Sequence, residues 1–261
     1  MRILHLYHDI MNLYGEYGNI SALTRMLEKS EISYELECLS VTDKLSLLDY
    51  DFIYVGSGTE SNQKYILQHL LPYREELHQY IDSGKLLLMT GNSFEILGER
   101  LTDARGKEYR GLGLFSFMVK EQDKTRNTAD AIFTMKELEQ PLVGFINKCS
   151  TIEGVEAPLF TVKMGLGNEG QGGSEGIRSG NFFGTHLTGP VLVKNPYFLI
   201  YLTEILCANA QRAEMLSQVS ETENKAAEAT HMELNTSWLT YELAGYEVTL
   251  RELSKRLAEN G

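Results

Sequence analysis

Cysteine is scarce here and carries no pairing pattern. The three cysteines, Cys38, Cys149 and Cys207, are odd in number and widely spaced, and no C-x-x-C pair occurs. That excludes a disulfide scaffold and a thiolate metal site, and it leaves reduced thiols in a cytoplasmic protein as the expectation. The six histidines are scattered, and none stands in an H-x-x-x-H or H-E-x-x-H frame, so no metal is expected. Proline is limited to 5 residues while 43% of the chain is hydrophobic, which excludes a disordered or polyproline segment as the main element. No run of about 18 apolar residues exists, and the opening MRILHLYHDIMNLYGEYGN lacks the apolar stretch of a signal peptide. Basic residues are in deficit, 24 against 36 acidic, giving a net charge of −12. A chain so acidic repels phosphate backbones and anionic lipid, so neither nucleic acid nor a membrane is an expected partner.

What the sequence does contain is regular. RILHLY (2–7) reads as a buried strand, GNISALTRMLEKS (18–30) as a helix, YELECLSV (34–41) as an alternating strand and YDFIYVGSG (50–58) as a central strand ending in glycines. Residues 62–84 read as a helix kinked at Pro72 and closed by Gly84. LLLMTGNSFEILGE (86–99) reads as strand, sharp small-residue turn and helix. This alternation predicts a mostly parallel sheet covered by helices on both faces. After residue 110 the pattern becomes β-rich, and these strands are expected to extend the sheet antiparallel. The run GLGNEGQGGSEGIRSG (165–180) lacks a following Lys-Ser/Thr pair and a helix, so it reads as a flexible surface loop rather than a phosphate cradle. From about 196 the chain turns helical, and TLRELSKRLAENG (249–261) carries apolar residues at 250, 253 and 257. That last helix either packs on its own domain or docks on a partner. The predicted organisation is one domain over 1–205 and a helical extension over 206–261.

Ligands of an open parallel sheet bind at the C-terminal ends of its strands. Three stretches converge there: GSGTESNQ (56–63), TGNSFE (90–95) and FFGTHLTGP (182–190). Gly56 and Gly58, with Thr59, either present backbone N–H groups to an anion or simply make a tight turn.

The same stretches carry a resemblance. NLYGEYGN (12–19), IYVGSGTESNQ (53–63), GLGLFSF with KTRNT (111–117, 124–128), VGFINK (143–148) and GTHLTGPVLVKNP (184–196) are similar, in colinear order over about residues 1–205, to motifs of the GatD/CobQ-like class I glutamine amidotransferases. Within them the chain most resembles the GatD-type subunit of lipid II isoglutaminyl synthase. The resemblance implies an α/β fold: a flavodoxin-like, three-layer amidotransferase sandwich with a mostly parallel sheet, here followed by a helical C-terminal tail. It implies a Cys nucleophile and a His base that hydrolyse glutamine, no cofactor, and a MurT-like, Mur-ligase-like ATP-dependent partner that amidates the D-glutamate of lipid II. It also implies a binding surface containing Gly56, Gly58, Thr59, Gln63, Asn92 and Arg126.

The two catalytic positions depart from the family pattern. The family's C-G-G-Y-Q-h-L-G, placed without gaps, falls on residues 91–98, which puts Gly91 at the nucleophile, or Thr90 with a one-residue shift; its G-T-Y-L-H-G-P falls on 184–190, which puts Thr188 at the base. Glycine offers no nucleophile, and threonine takes no proton near neutral pH. Cys38, Cys149 and Cys207 lie in other elements and are not expected to reach the turn. Ser93 and His186, with Glu95 orienting the imidazole, are the substitutes the spacing allows; as a bland alternative Ser93 is a helix N-cap and His186 a packed strand residue. Three functions follow as expectations: a glutaminase-deficient scaffold subunit, hydrolysis through Ser93/His186, or a stand-alone pseudoenzyme binding glutamine or a related small ligand. A flavodoxin-like electron carrier ranks last, because the loops lack its Ser/Thr-rich phosphate turn.

Overall fold

The computed structural model describes residues 1–122, 126–221 and 233–260, with side chains for all of these except 217–221 and 260. Its first half runs β1 (Arg2–Leu6), α1 (Tyr17–Lys29), β2 (Glu35–Leu39), β3 (Phe52–Val55), α2 (Glu60–Leu70), α3 (Arg74–Asp82) and β4 (Leu86–Thr90). β5 (Arg100–Thr102), β6 (Glu108–Arg110), β7 (Met118–Glu121), β8 (Asn127–Thr134), β9 (Leu142–Lys148) and β10 (Ser150–Glu153) follow. β11 (Phe160–Met164), β12 (Ser174–Glu175), β13 (Ile177–Ser179), β14 (Phe182–Thr185) and β15 (Leu187–Thr188) complete the strands. α4 (Val191–Lys194), α5 (Pro196–Glu221) and α6 (Thr240–Asn260) close the chain.

Six strands form the central sheet in the order β13-β14-β4-β3-β1-β2, all parallel except β13. Side-chain alternation divides its core. Phe52, Tyr54, Leu86 and Leu88 join Leu23 and Met26 of α1 and Phe198 of α5 on one face. Ile53, Val55, Leu87 and Met89 join Ile66 of α2 and Tyr80 of α3 on the other. Each such fully buried side chain contributes roughly 1.5–3 kcal/mol of apolar transfer, so both sheet faces must stay covered. The result is the helix–sheet–helix sandwich that the sequence implies. The helix predicted over 62–84 is split at Pro72 into α2 and α3 by a short 3-10 turn, and Gly84 ends it at φ +75°.

Several expectations need correction. The helix after the turn at 90–92 is only a five-residue 3-10 turn, Ser93–Leu97. It stops because the G-L-G segment crosses it and takes its carbonyls: Leu112 N–H donates to Ile96 O at 2.8 Å and Leu114 N–H to Leu97 O at 2.9 Å. The β-rich half does not mainly extend the central sheet. Only β13 and β14 join it, while β10-β7-β5-β6 and β12-β11-β8-β9-β15 form two further sheets. The boundary expected at 205/206 falls inside α5, whose Leu206 and Cys207 are buried. α6 packs on the chain's own third sheet through Tyr246 and Leu253, with Tyr246 Oη donating to Pro141 O at 2.7 Å; Leu257 stays exposed. Part of the tail expectation, residues 222–232, lies outside the described residues, as do 123–125 of the KTRNT region. Among the described residues no helix is long and apolar enough to cross a membrane.

Candidate functional site

β4 delivers the chain to the C-terminal edge of the central sheet, where Gly91 turns it at φ +65°. This is the strained strand-to-turn geometry that presents nucleophiles in α/β folds. The space beyond Gly91 is taken. A Cβ added there would overlap the Ser57 Cβ and stand 3.1 Å from the Ser57 Cα and Oγ. The side-chain volume at Gly91 is therefore filled from the neighbouring strand end.

Ser57 is held in that place from below by Glu16, a fully buried carboxylate. Glu16 Oε1 accepts from Ser57 Oγ at 2.9 Å. Its Oε2 accepts from Tyr54 Oη at 2.5 Å, Thr90 Oγ1 at 2.9 Å and Asn19 Nδ2 at 3.1 Å. Burial pushes the Glu16 carboxyl up from its ordinary range, against the hydrogen bonds from Tyr54, Ser57, Thr90 and the Gly189 N–H. One carboxylate thus ties the first helix, β3 and its loop, and the end of β4 under the turn.

The glycine loop does not form an open nest. The Gly58 N–H donates to Asn92 Oδ1 at 3.1 Å. Side chains at Gly56 and Gly58 would overlap Met11, so both glycines serve the close passage of the 10–16 segment. Thr59 caps α2, accepting from Asn62 N–H at 3.1 Å. Gln63 is buried and donates through Nε2 to Asn92 O at 2.6 Å and to Glu95 Oε2 at 2.5 Å.

Ser93 is neither a nucleophile poised toward His186 nor an N-cap. It is buried, and its Oγ donates to Thr90 O at 2.8 Å and Val55 O at 3.3 Å. His186 is committed elsewhere. Its Nε2 lies 3.0 Å from Glu95 Oε1 and its Nδ1 3.0 Å from Glu175 Oε1. Ser150 Oγ also donates to Glu95 Oε1, while Glu175 accepts from Thr185 Oγ1 and the His186 N–H, each at 2.7 Å. Behind them Lys148 Nζ donates to Gly167 O at 2.5 Å and Asn168 O at 3.1 Å. Burial lowers the Lys148 pKa, opposed by the charges of Glu175 and Glu95. The glycine-rich run is a surface loop only in part: Glu169, Gln171 and Gly173 are exposed, while Gly167, Asn168 and Glu175 are buried and supply the acceptors for this ionic cluster.

Above the cluster opens a small cleft lined by Ser57, Gly91, Asn92, Cys149, His186 and Thr188. Its volume is about 20 Å³, room for a single water. Cys149 reaches it after all, in contrast to the sequence expectation, because it follows β9 directly. Its Sγ donates to Glu60 Oε1 at 3.2 Å. Burial first, and then the Glu60 carboxylate, push its thiol up to about 12, which leaves it un-ionised and a poor nucleophile near neutral pH. Arg126 closes the rim, paired with Glu60 and donating to Asn147 Oδ1 at 3.2 Å. Thr188 Oγ1 donates to Phe145 O at 3.0 Å.

Gly91 thus carries no side chain at this turn, and Ser57, Cys149 and His186, which line the cleft with it, each face a carboxylate. The profile of the CobB/CobQ-like glutamine amidotransferase domain matches residues 2–196. The chain belongs to that family. Among its relatives, the Streptococcus pneumoniae protein named as subunit GatD of lipid II isoglutaminyl synthase (glutamine-hydrolyzing) is 29% identical over 197 residues, 75% of this chain and 76% of its own length. The Staphylococcus aureus protein of the same name is 28% identical over 226 residues, 87% and 91% of the two chains. A crystal structure of a glutamine amidotransferase from Thermotoga maritima shares the fold at 12% identity, with a TM-score of 0.50 over 99% of this chain and 98% of its own.

Sequence reasoning missed Glu16, Ser57, Lys148, Cys149 and Glu175. Glu16 stands inside the NLYGEYGN motif, and a carboxylate within an otherwise neutral motif was the available signal. Glu175 had none, since acids among glycines read as loop.

Proposed function

We propose that this member of the amidotransferase family acts as a GatD-type subunit without glutaminase chemistry, scaffolding a Mur-ligase-like, ATP-dependent partner in the cytoplasm. The partner, MurT-like in this reading, would amidate the D-glutamate carboxylate of lipid II from free ammonia. The observation that carries the proposal is the overlap at Gly91. Glutamine hydrolysis by the family route needs a thiolate attacking the amide carbon and a base to hand its proton to the leaving ammonia. Here the nucleophile's volume holds Ser57, Thr188 is bonded to a backbone carbonyl, and the cleft above them has room for one water. Both nitrogens of His186 face carboxylates, so the imidazole offers Ser93 no lone pair. The names of the two relatives support the subunit role. In this reading Gly56, Gly58, Thr59, Gln63, Asn92 and Arg126 keep the family's binding surface as architecture: Gly58 and Gln63 bond to Asn92, Thr59 caps α2 and Arg126 pairs with Glu60.

The test is reconstitution with the Mur-ligase-like protein encoded in the same genome. The two chains should co-purify, and lipid II should be amidated with ammonium as nitrogen source but not with glutamine. Ammonia release from glutamine that disappears in Ser93→Ala would defeat the proposal in favour of a substituted site.

A further inference from the structure

Beside the cleft, the surface changes from polar to apolar. Tyr14, which lines the cleft rim, is 44% exposed, Tyr17 is 62% exposed and Val193 39%. These are contiguous: Gly18 packs against Pro190 and Val193, and Gly189 against Tyr14 and Lys194. Past Val193 the strip opens into a groove of about 470 Å³ between α6, α4 and the third sheet, floored by Phe145, Tyr246 and Leu253. Tyr241 stands on its edge 88% exposed, an aromatic ring left almost wholly in water. A second hollow of about 180 Å³ lies on the other side of Val193, over α1 and Trp238.

One charged residue, Glu242, lines both hollows. It sits in the first turn of α6, where the helix N-terminus favours a negative charge. Its Oε2 is buried without a hydrogen-bond partner, and among the described residues no Lys, Arg or His lies within ion-pair distance of it. Arg25, the cation in the smaller hollow, stacks instead over the Trp238 ring at 5.2 Å. Trp238 Nε1 is buried and unpartnered as well. A half-buried carboxylate with no cation in ion-pair distance, set among exposed aromatic and aliphatic groups in a groove that Asp130 and Lys194 also line, fits the negative half of an interface in which an apolar surround desolvates a charge pair.

We infer that the Val193–Tyr241–Glu242 surface docks a partner-protein segment presenting an arginine or lysine flanked by apolar side chains, the cation pairing with Glu242 and the apolar residues filling the groove. This rests on the subunit reading above and gives it a place: the strip begins at Tyr14 on the cleft rim, so a protein seated there covers the cleft as well. α6, which lies beyond the stretch matched by the family profile, supplies one wall.

The experiment measures affinity of the full-length chain for the Mur-ligase-like protein of the same genome, by calorimetry or interferometry, with Tyr241→Ala and Glu242→Arg compared with the parent. Tyr241→Ala removes an exposed ring, so its melting temperature should stay at the parent's value, which separates lost binding from lost folding. Each variant should weaken the complex at least tenfold, and Glu242→Arg should also lose the salt sensitivity of the parent complex. A parent chain that binds while both variants bind equally well overturns this inference and leaves the subunit reading standing. A parent chain that binds no such protein removes both. Self-association of the parent that Tyr241→Ala abolishes would assign the groove to a second copy and overturn the inference likewise.

Discussion

In the proposed reading a thiol at position 91 brings no glutamine hydrolysis, and Gly91→Cys measures why. Gly91 holds φ +65°, and a residue with a Cβ in the left-handed region costs roughly 1–2 kcal/mol. The new Cβ would also overlap that of Ser57. Ser57 cannot yield freely: its Oγ donates to Glu16 at 2.9 Å, and its carbonyl accepts from the Leu13 N–H at 3.0 Å. Overpacking of this kind adds about 1–3 kcal/mol. The sum, roughly 2–5 kcal/mol, corresponds to about 5–15 °C in melting temperature for a domain of this size. Urea denaturation of Gly91→Cys, alone and with Thr188→His, reads the loss, and an ammonia-release assay with glutamine reads the chemistry. Neither variant should hydrolyse glutamine. Adding Ser57→Gly to Gly91→Cys should recover at least about 1 kcal/mol beyond additivity, since the two side chains compete for one volume. A destabilisation below about 0.5 kcal/mol, or glutaminase activity in the Cys/His double variant, would refute the claim that the elbow has closed.

Two further perturbations probe the buried groups. His186→Ala leaves Glu95 and Glu175 without the imidazole between them, and should cost about 3–5 kcal/mol by urea denaturation; a loss below about 1 kcal/mol would show that the cluster holds nothing. His5 is nearly inaccessible with an unpartnered Nε2, and burial, with a smaller push from His8, lowers its pKa from 6.5 to about 4. A depressed histidine pKa means the unfolded chain binds the extra proton, so the stabilising difference is complete above pH 6.5 and lost as pH falls toward 4. Over that window the protein should lose about 3 kcal/mol that His5→Phe retains, and parallel stability–pH curves for parent and variant would contradict the assignment.

The central sheet was legible because its signals are local. The apolar runs of β3 and β4, the break at Pro72 and the left-handed Gly84 each follow from a few neighbouring residues. The colinear motifs located the cleft's rim for the same reason. The cleft's interior was not legible, because its contacts join residues far apart in the chain: Glu95 meets His186 across 91 positions, and Thr90 meets Glu16 across 74. The glycine-rich run misled for a related reason. Glycines let 165–180 fold tightly enough to bury Glu175 against His186, and the same composition in isolation signals a loop. Cys149 was dismissed by its strand position, yet the register of β9 against β15 brings the chain past Thr188.

Gly91, Glu95 and His186, which differ from the family motifs they align with, are each tied to particular neighbours. Gly91 lacks the Cβ that would exclude Ser57, and Ser57 at that position supplies one of the donors that satisfy the buried Glu16. Glu95, where the family pattern has glutamine, accepts from Gln63, Ser150 and His186, and an uncharged amide there would present an N–H to at least one of those donors. His186 in turn stays buried only because Glu95 and Glu175 face both its nitrogens. Glu95 and His186 are thus hydrogen-bonding requirements of each other, and Gly91 is a steric requirement of Ser57. A thiol lost by drift alone would leave a vacant pocket around a single change. In the proposed reading, the network makes the turn a joint between β3, β4 and the 10–16 segment, whose shape serves the surface above it rather than a reaction within it.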